Sequence, residues 1–206
     1  MLRSRTMLAI VTALTLVAIG AVLAAVSSPD SSSGSDSAGY SGSSLPNGIR
    51  IEPFSLHDEN GRPVTLSALR GRPAILTFLY TSCRDICPLT AQQIRGALDL
   101  NGREIPVVAI SVDPKGDTPE SVKRWLARQQ LDGRITWGLG SESQLQKVWR
   151  DYGIAPQTNR SDHSAYVFVL DRDGRRCVSW PVSQLTPEGL QHDLKLIAER
   201  NGACQA

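Results

Sequence analysis

Two almost unbroken apolar runs constrain this chain most: Pro73–Tyr80 (PAILTFLY) and Ile105–Val112 (IPVVAISV). A half-solvated strand alternates apolar and polar residues, whereas a strand covered on both faces reads as a continuous apolar run. Leu89–Leu100, between the two runs, reads as a helix. A strand, helix and second buried strand in that order define an α/β domain with helices on the faces of its sheet. The 41% of hydrophobic residues suffices for such a core.

The rest of the chain continues the alternation. Ile51–Leu56 and Pro63–Leu66 flank Asn60-Gly61, a strong hairpin signal. Thr118-Pro119-Glu120 supplies an N-cap hydroxyl, a proline for the first helical position and an acid for the positive helix end. That helix is predicted to run to about Gln130. A short strand near Ile135–Trp137 follows, then a helix over Glu142–Tyr152. In the latter, Leu145, Val148, Trp149 and Tyr152 share one side and are read as core. Ala165–Leu170 is a strand that Asp173-Gly174 turns into Arg175–Trp180, and Thr186-Pro187-Glu188 opens a last helix to about Arg200. The order suits a thioredoxin-like fold with an N-terminal β-hairpin extension, its sheet mostly parallel with an antiparallel edge.

Residues 1–26 have another character. Met7–Val26 is uncharged and apolar, and as a helix it would rise about 30 Å, the thickness of a bilayer core. A cleavable signal has a shorter apolar region of about 7–15 residues, so a membrane-anchor helix is preferred over a cleaved signal ending near Ala24-Ala25. Arg3 and Arg5 would hold the N-terminus in the cytoplasm, giving a single-pass inner-membrane protein whose domain faces the periplasm. Residues 27–48, rich in Ser and Gly, read as a flexible linker; the Ser27–Ser44 part would span roughly 20–25 Å. Residues 49–206 form the folded domain. Without Arg3 and Arg5, the 22 basic residues fall to the number of acidic ones, 20. A neutral domain with no basic run has no electrostatic reason to bind nucleic acid.

The chemistry concentrates in Leu79–Thr90, which contains Cys83 and Cys87 between a buried strand and a helix. A helix N-terminus favours the thiolate, and Arg84 adds a nearby positive charge. The i, i+4 spacing puts both sulfurs on one face if the segment is helical, able to chelate a soft metal or close a disulfide. A purely structural disulfide fits poorly, because so small a loop contributes little entropic stabilisation. Of the three histidines, His57 and His192 read as solvated, whereas His163 leads directly into the strand that begins at Ala165. Two thiols and one imidazole, with no methionine in the folded part, suit copper in either oxidation state.

Three segments resemble the Sco/SenC copper chaperones of cytochrome oxidase assembly. Tyr80–Pro88 (YTSCRDICP) looks like that family's cysteine box, Ser111–Pro119 (SVDPKGDTP) like its S-V-D-P segment, and Asp162-His163-Ser164 like its histidine element. The resemblance covers about residues 51–200. It implies Cys83, Cys87 and His163 as copper ligands. It also implies delivery of copper to the binuclear centre of an oxidase subunit, with a copper donor or thiol reductase as further partners. Arg84 stands where proline is frequent in the family.

Two other readings use the same cysteines. A membrane-tethered thiol–disulfide oxidoreductase would keep oxidase-subunit cysteines reduced, with Cys83 and Cys87 as its redox-active pair. Such proteins usually carry a cis-proline before the final hairpin, and His163-Ser164-Ala165 has none. A thiol peroxidase would need a Pro-x-x-x-Thr pattern that Leu79–Ser82 does not supply. No residue is assigned as catalytic. Cys177 and Cys204 lie outside the motifs; strand and helix lengths would let the tail carrying Cys204 pass near Cys177, as a disulfide or as two separate thiols.

Overall fold

The computed structural model describes residues 39–154 and 166–205. The described strands are β1 Ser43–Arg50, β2 Ser55–His57, β3 Pro63–Thr65, β4 Ala74–Leu79, β5 Val107–Ser111, β6 Thr136–Gly138, β7 Tyr166–Leu170 and β8 Arg175–Pro181. The helices are α1 Ile86–Asn101, α2 Pro119–Gln129, α3 Glu142–Tyr152 and α4 Pro187–Glu199, with short 3-10 turns at Leu66–Leu69 and Val182–Gln184. Six strands form one sheet in the order β1-β8-β7-β4-β5-β6, and β2 and β3 form the separate hairpin read from Asn60-Gly61.

β4 pairs parallel with β5 and β5 with β6, but the β7–β4, β8–β7 and β1–β8 pairings are antiparallel. The sheet is thus mixed rather than mostly parallel as expected, because β1 adds a further antiparallel strand beyond the β7–β8 hairpin. All six residues of β4 and all five of β5 are buried. The side chains sort by the period of two. Ile75, Leu79, Val107, Ala109, Val167 and Val169 join the core beneath α1, α2 and α4. Leu76, Phe78, Val108, Ile110, Phe168 and Leu170 join the opposite core with α3 and the hairpin. Leu145, Val148, Trp149 and Tyr152 are buried there, as their spacing requires. Trp149 also donates through Nε1 to the Ser111 carbonyl at 2.9 Å.

Helix starts follow local chemistry. Thr118 accepts from Ser121 N and Ser121 reciprocates; Ser141 and Gln144 do the same for α3; Thr186 accepts from Gly189 N.

Two further features depart from the sequence reading. Part of the expected linker 27–48 belongs to the fold: residues 43–50 form β1 on β8, and Tyr40 is buried. The cause lies far along the chain. The fully buried Asp193 carboxylate accepts from Ser41 N at 2.7 Å and Gly42 N at 3.0 Å, and from Trp180 Nε1 at 2.9 Å. Gly42 lies so close to Trp180 that a Cβ there would stand 2.6 Å from the indole. The second departure is the head of α1, which starts at Ile86 rather than Leu89 and takes in Cys87. Proline at the third helical position interrupts nothing, because first-turn N–H groups have no intrahelical partner. The anchor expected over 1–26 lies outside the described residues; among these, no helix is long and apolar enough to cross a membrane.

Cys177 and Cys204 form a disulfide with Cα atoms 5.1 Å apart. The tail it fastens is also held by the Tyr40 hydroxyl, which donates to the Cys204 carbonyl at 2.5 Å.

Two stability outcomes follow. Asp193→Ala strands three donors and is expected to cost about 3 kcal/mol, read as a lowered Tm of the full chain, with little change for His192→Ala. Reducing the Cys177–Cys204 bridge opens a loop with sequence separation 27. By chain entropy this costs about 3–4 kcal/mol, and Cys177→Ser should show the same lower Tm without reductant.

Candidate metal and thiol site

The end of β4 delivers the site. After Leu79 the chain turns, with Cys83 N donating to the Tyr80 carbonyl at 3.3 Å, and α1 begins at once. The N-cap, Asp85, makes no side-chain cap. A sulfur takes part of that role: Cys87 N donates to Cys83 Sγ at 3.2 Å. The expected proximity of both thiols at a helix N-terminus is therefore met, with Cys87 inside the first turn. Both are free thiols; Cys83 is 7% exposed and Cys87 is 0% exposed.

Their protons are unequally held. The Cys83 thiol is lowered to about 5, chiefly because the Cys87 side chain hydrogen-bonds its sulfur. Burial opposes this, and N–H groups of Asp85 and Cys87 and the Tyr80 hydroxyl reinforce it. Hydrogen bonds, rather than the Arg84 charge, are the leading causes. Cys87 is pushed strongly upward, first by the hydrogen bond to Cys83, which keeps its proton in place, and then by burial. Tyr80 is raised as well, mainly by burial.

A polar network supports the loop, and the sequence reading did not single it out. Asp117 is 5% exposed; its Oδ1 accepts from Thr81 N at 2.7 Å and its Oδ2 from the Ser111 hydroxyl at 2.6 Å. Burial raises Asp117 to about 6 against those two bonds. The Ser82 hydroxyl donates to Asp113 at 3.4 Å. Ser111, Asp113 and Asp117 all sit in the S-V-D-P segment, so the signal was present in the residues though their task was not.

His163 lies outside the described residues. The strand after it, β7, begins next to the outgoing part of β4: Thr77 is opposite Val167, and its hydroxyl donates to the Tyr166 carbonyl at 3.0 Å. Of the other histidines, His57 is exposed with Nδ1 2.7 Å from the Leu139 carbonyl, and His192 is exposed beside Asp193. Among the described residues Asp171, Cys177 and Cys204 also cluster within 4.8 Å, but the two sulfurs are bonded to each other and offer no thiolate.

The fold and this site define a class: a thioredoxin-like α/β protein carrying a Cys-x-x-x-Cys pair at the head of its first sheet-covering helix. The family model described as SCO1/SenC matches residues 44–199, and the chain belongs to that family. An SCO2-like protein of Rickettsia prowazekii is 31% identical over 135 residues, covering 60% of this chain and 65% of that protein. The mitochondrial protein SCO2 of Saccharomyces cerevisiae is 30% identical over 136 residues, 60% of this chain and 44% of the yeast protein. The chain thus spans less than two thirds of these relatives. Among solved structures, copper-bound ScoI of Bradyrhizobium japonicum is 33% identical with TM-score 0.60, covering 71% of this chain and 98% of that one. Copper-bound ScoI of Arabidopsis thaliana is 26% identical with TM-score 0.62, covering 72% and 98%. BsSco, described with a disulfide switch in a family of cytochrome c oxidase assembly proteins, shares the fold at 22% identity and TM-score 0.65, covering 77% and 97%.

The unequal thiols are open to a direct measurement. Only the thiolate reacts, so alkylation of Cys83 should hold its rate from neutral pH downward and fall as pH drops through about 5. Cys87 should stay unmodified at neutral pH. Peptide mapping after brief iodoacetamide treatment across pH 4–9 reads both; a midpoint near the ordinary thiol value would overturn the assignment.

Proposed function

We propose that this chain binds one copper ion through Cys83, Cys87 and His163 and delivers it to the binuclear copper centre of a cytochrome c oxidase subunit. The observation that carries this reading is the pair of thiols at the head of α1, one of them held as thiolate by hydrogen bonds. Thiolates are soft donors that select Cu(I), and an added imidazole serves Cu(II) as well. Two thiolates with Cu(II) are neutral, and with Cu(I) carry a single negative charge, so neither state brings a large electrostatic cost. Copper is cargo here. Of its two sulfur ligands, Cys87 is sealed in the core, while Cys83 keeps a small exposure. The apolar run Met7–Val26 would tether the domain to the inner membrane on the periplasmic side, within reach of an oxidase subunit, a copper donor and a thiol reductase.

The unequal thiols also favour a second reading, a thiol–disulfide oxidoreductase. A more exposed, ionised Cys83 suits attack on a partner's disulfide, and a buried, protonated Cys87 suits resolution of the mixed disulfide.

Copper titration of the reduced full chain separates the two. One ion per chain is expected. Cys83→Ser or Cys87→Ser should cost more than the roughly 10–100-fold that loss of an outer-shell partner costs. His163→Ala should weaken Cu(II) more than Cu(I). The Cys83–Cys87 disulfide form should take up no copper until a reductant is added, since the metal needs the thiolates that oxidation consumes. Equal affinity in wild type and the double cysteine variant would end the copper reading in favour of the reductase.

A further inference from the structure

Beside Cys83 the surface opens into a groove of about 440 Å³. Cys83, Arg84 and Pro88 line it from the loop and the head of α1; Trp125, Arg128 and Gln129 line it from α2. Cys83 is thus part of the groove wall, while Cys87 is absent from it. Trp125, 1% exposed, gives it an apolar base. Gln129 is fixed by Gln92, whose side-chain nitrogen donates to Gln129 Oε1 at 3.0 Å.

Its charge is one-sided. No Asp or Glu side chain lines the groove. Arg84 and Arg128 are both exposed, and neither has an ion pair or hydrogen bond among the described residues. By contrast, Arg62 pairs with Asp58, and Arg95 and Arg134 pair with Asp99. Two unmatched guanidinium groups, one on each wall beside a reactive thiol, complement carboxylates. Small-molecule sites enclose most of their ligand, whereas this groove is open and suits an extended chain lying across it.

We infer that the groove docks an acidic, cysteine-bearing segment of the partner protein, whose carboxylates meet Arg84 and Arg128 while its thiol reaches Cys83. The inference rests on the proposed exchange at Cys83 and adds the chemistry of the partner. It also gives the exchange a direction: the partner approaches from the α2 side and meets Cys83 first.

The test needs no metal. In Cys87→Ser protein with the Cys177–Cys204 bridge intact, Cys83 is the one free thiol. Its thiolate attacks one sulfur of an aromatic disulfide, the S–S bond breaks, and the coloured thiolate leaves with the electron pair. The reaction is run with dithionitrobenzoate, which carries two carboxylates, and with neutral dipyridyl disulfide. Arg128→Gln should slow the anionic reagent about fivefold, the worth of one exposed ion pair, and leave the neutral one unchanged. Arg84→Gln should show the same difference between reagents, beyond any shared change from its position next to the thiol. High salt should erase the preference. Equal effects on both reagents, or none, would overturn the inference while leaving copper binding intact.

A second arm follows copper leaving the loaded full chain toward the peptide Glu-Cys-Glu-Cys-Glu, its Gln-flanked twin and glutathione. Faster transfer to the acidic peptide, lost in Arg128→Gln, supports the docking. Glutathione matching the acidic peptide would replace the protein segment by a small thiol and overturn the inference. Failure of copper to bind at all, with the reagent preference present, would sink the copper reading alone.

Discussion

β4 has no face left for water, and the site exists because of it. Its residues feed two cores in alternation, and it is paired along both edges, parallel to β5 and antiparallel to β7. A strand so held cannot slip by one residue without sending its whole apolar set to the wrong face. Everything that leaves its end is therefore placed with little freedom. The chain must turn at Tyr80 and enter α1 within a few residues, which brings two cysteines to one helix head.

That placement explains why the thiols differ. Cys87 lies in the first helical turn, facing the core, and its backbone N–H is one of the orphan donors every helix start leaves. Cys83, four residues earlier, offers the acceptor. The sulfur that helps to cap the helix is the sulfur best able to carry negative charge, since N–H groups of the helix head aim at it. Helix capping and thiolate stabilisation are one interaction. Asp117 works from the neighbouring loop: by accepting from Thr81 N it ties the cysteine turn to the end of β5, itself fastened to β4. The polar network and the apolar sheet thus converge on the same few residues.

Much of this was legible in the sequence because it is local. Continuous apolar runs read as doubly covered strands, Thr-Pro-Glu read as helix starts, and Asn60-Gly61 read as a hairpin. The cysteine pair was legible from spacing and flanking elements. What escaped depends on distant partners. Ser41 and Gly42 have linker composition and become ordered only through Asp193, some 150 residues on. Asp117 looks like any acid before a helix cap until burial shows its task. The head of α1 begins at Ile86, before the expected Leu89, because the first turn tolerates Pro88. Arg84 was legible as a charge near a thiol; that Arg128 shares its groove follows only from how α2 packs.

The two cysteine pairs occupy opposite ends of the sheet, and the register explains how they can differ in redox state within one chain. Ala74, the first residue of β4, is opposite Leu170, the last of β7, and Leu170 pairs with Arg176, next to Cys177. Cys83 follows the other end of β4. A strand of that length separates them by roughly 17 Å, too far for direct thiol–disulfide exchange. The Cys177–Cys204 bridge closes a long loop and sits behind the tail it fastens, where the Tyr40 hydroxyl and the buried Asp171 enclose it. Reductants reach it only if that end of the domain opens. Cys83, at the far end, is part of the groove wall. One end of the sheet therefore holds its sulfurs as a bond and the other as free thiols, kept apart by the length of the strand between them.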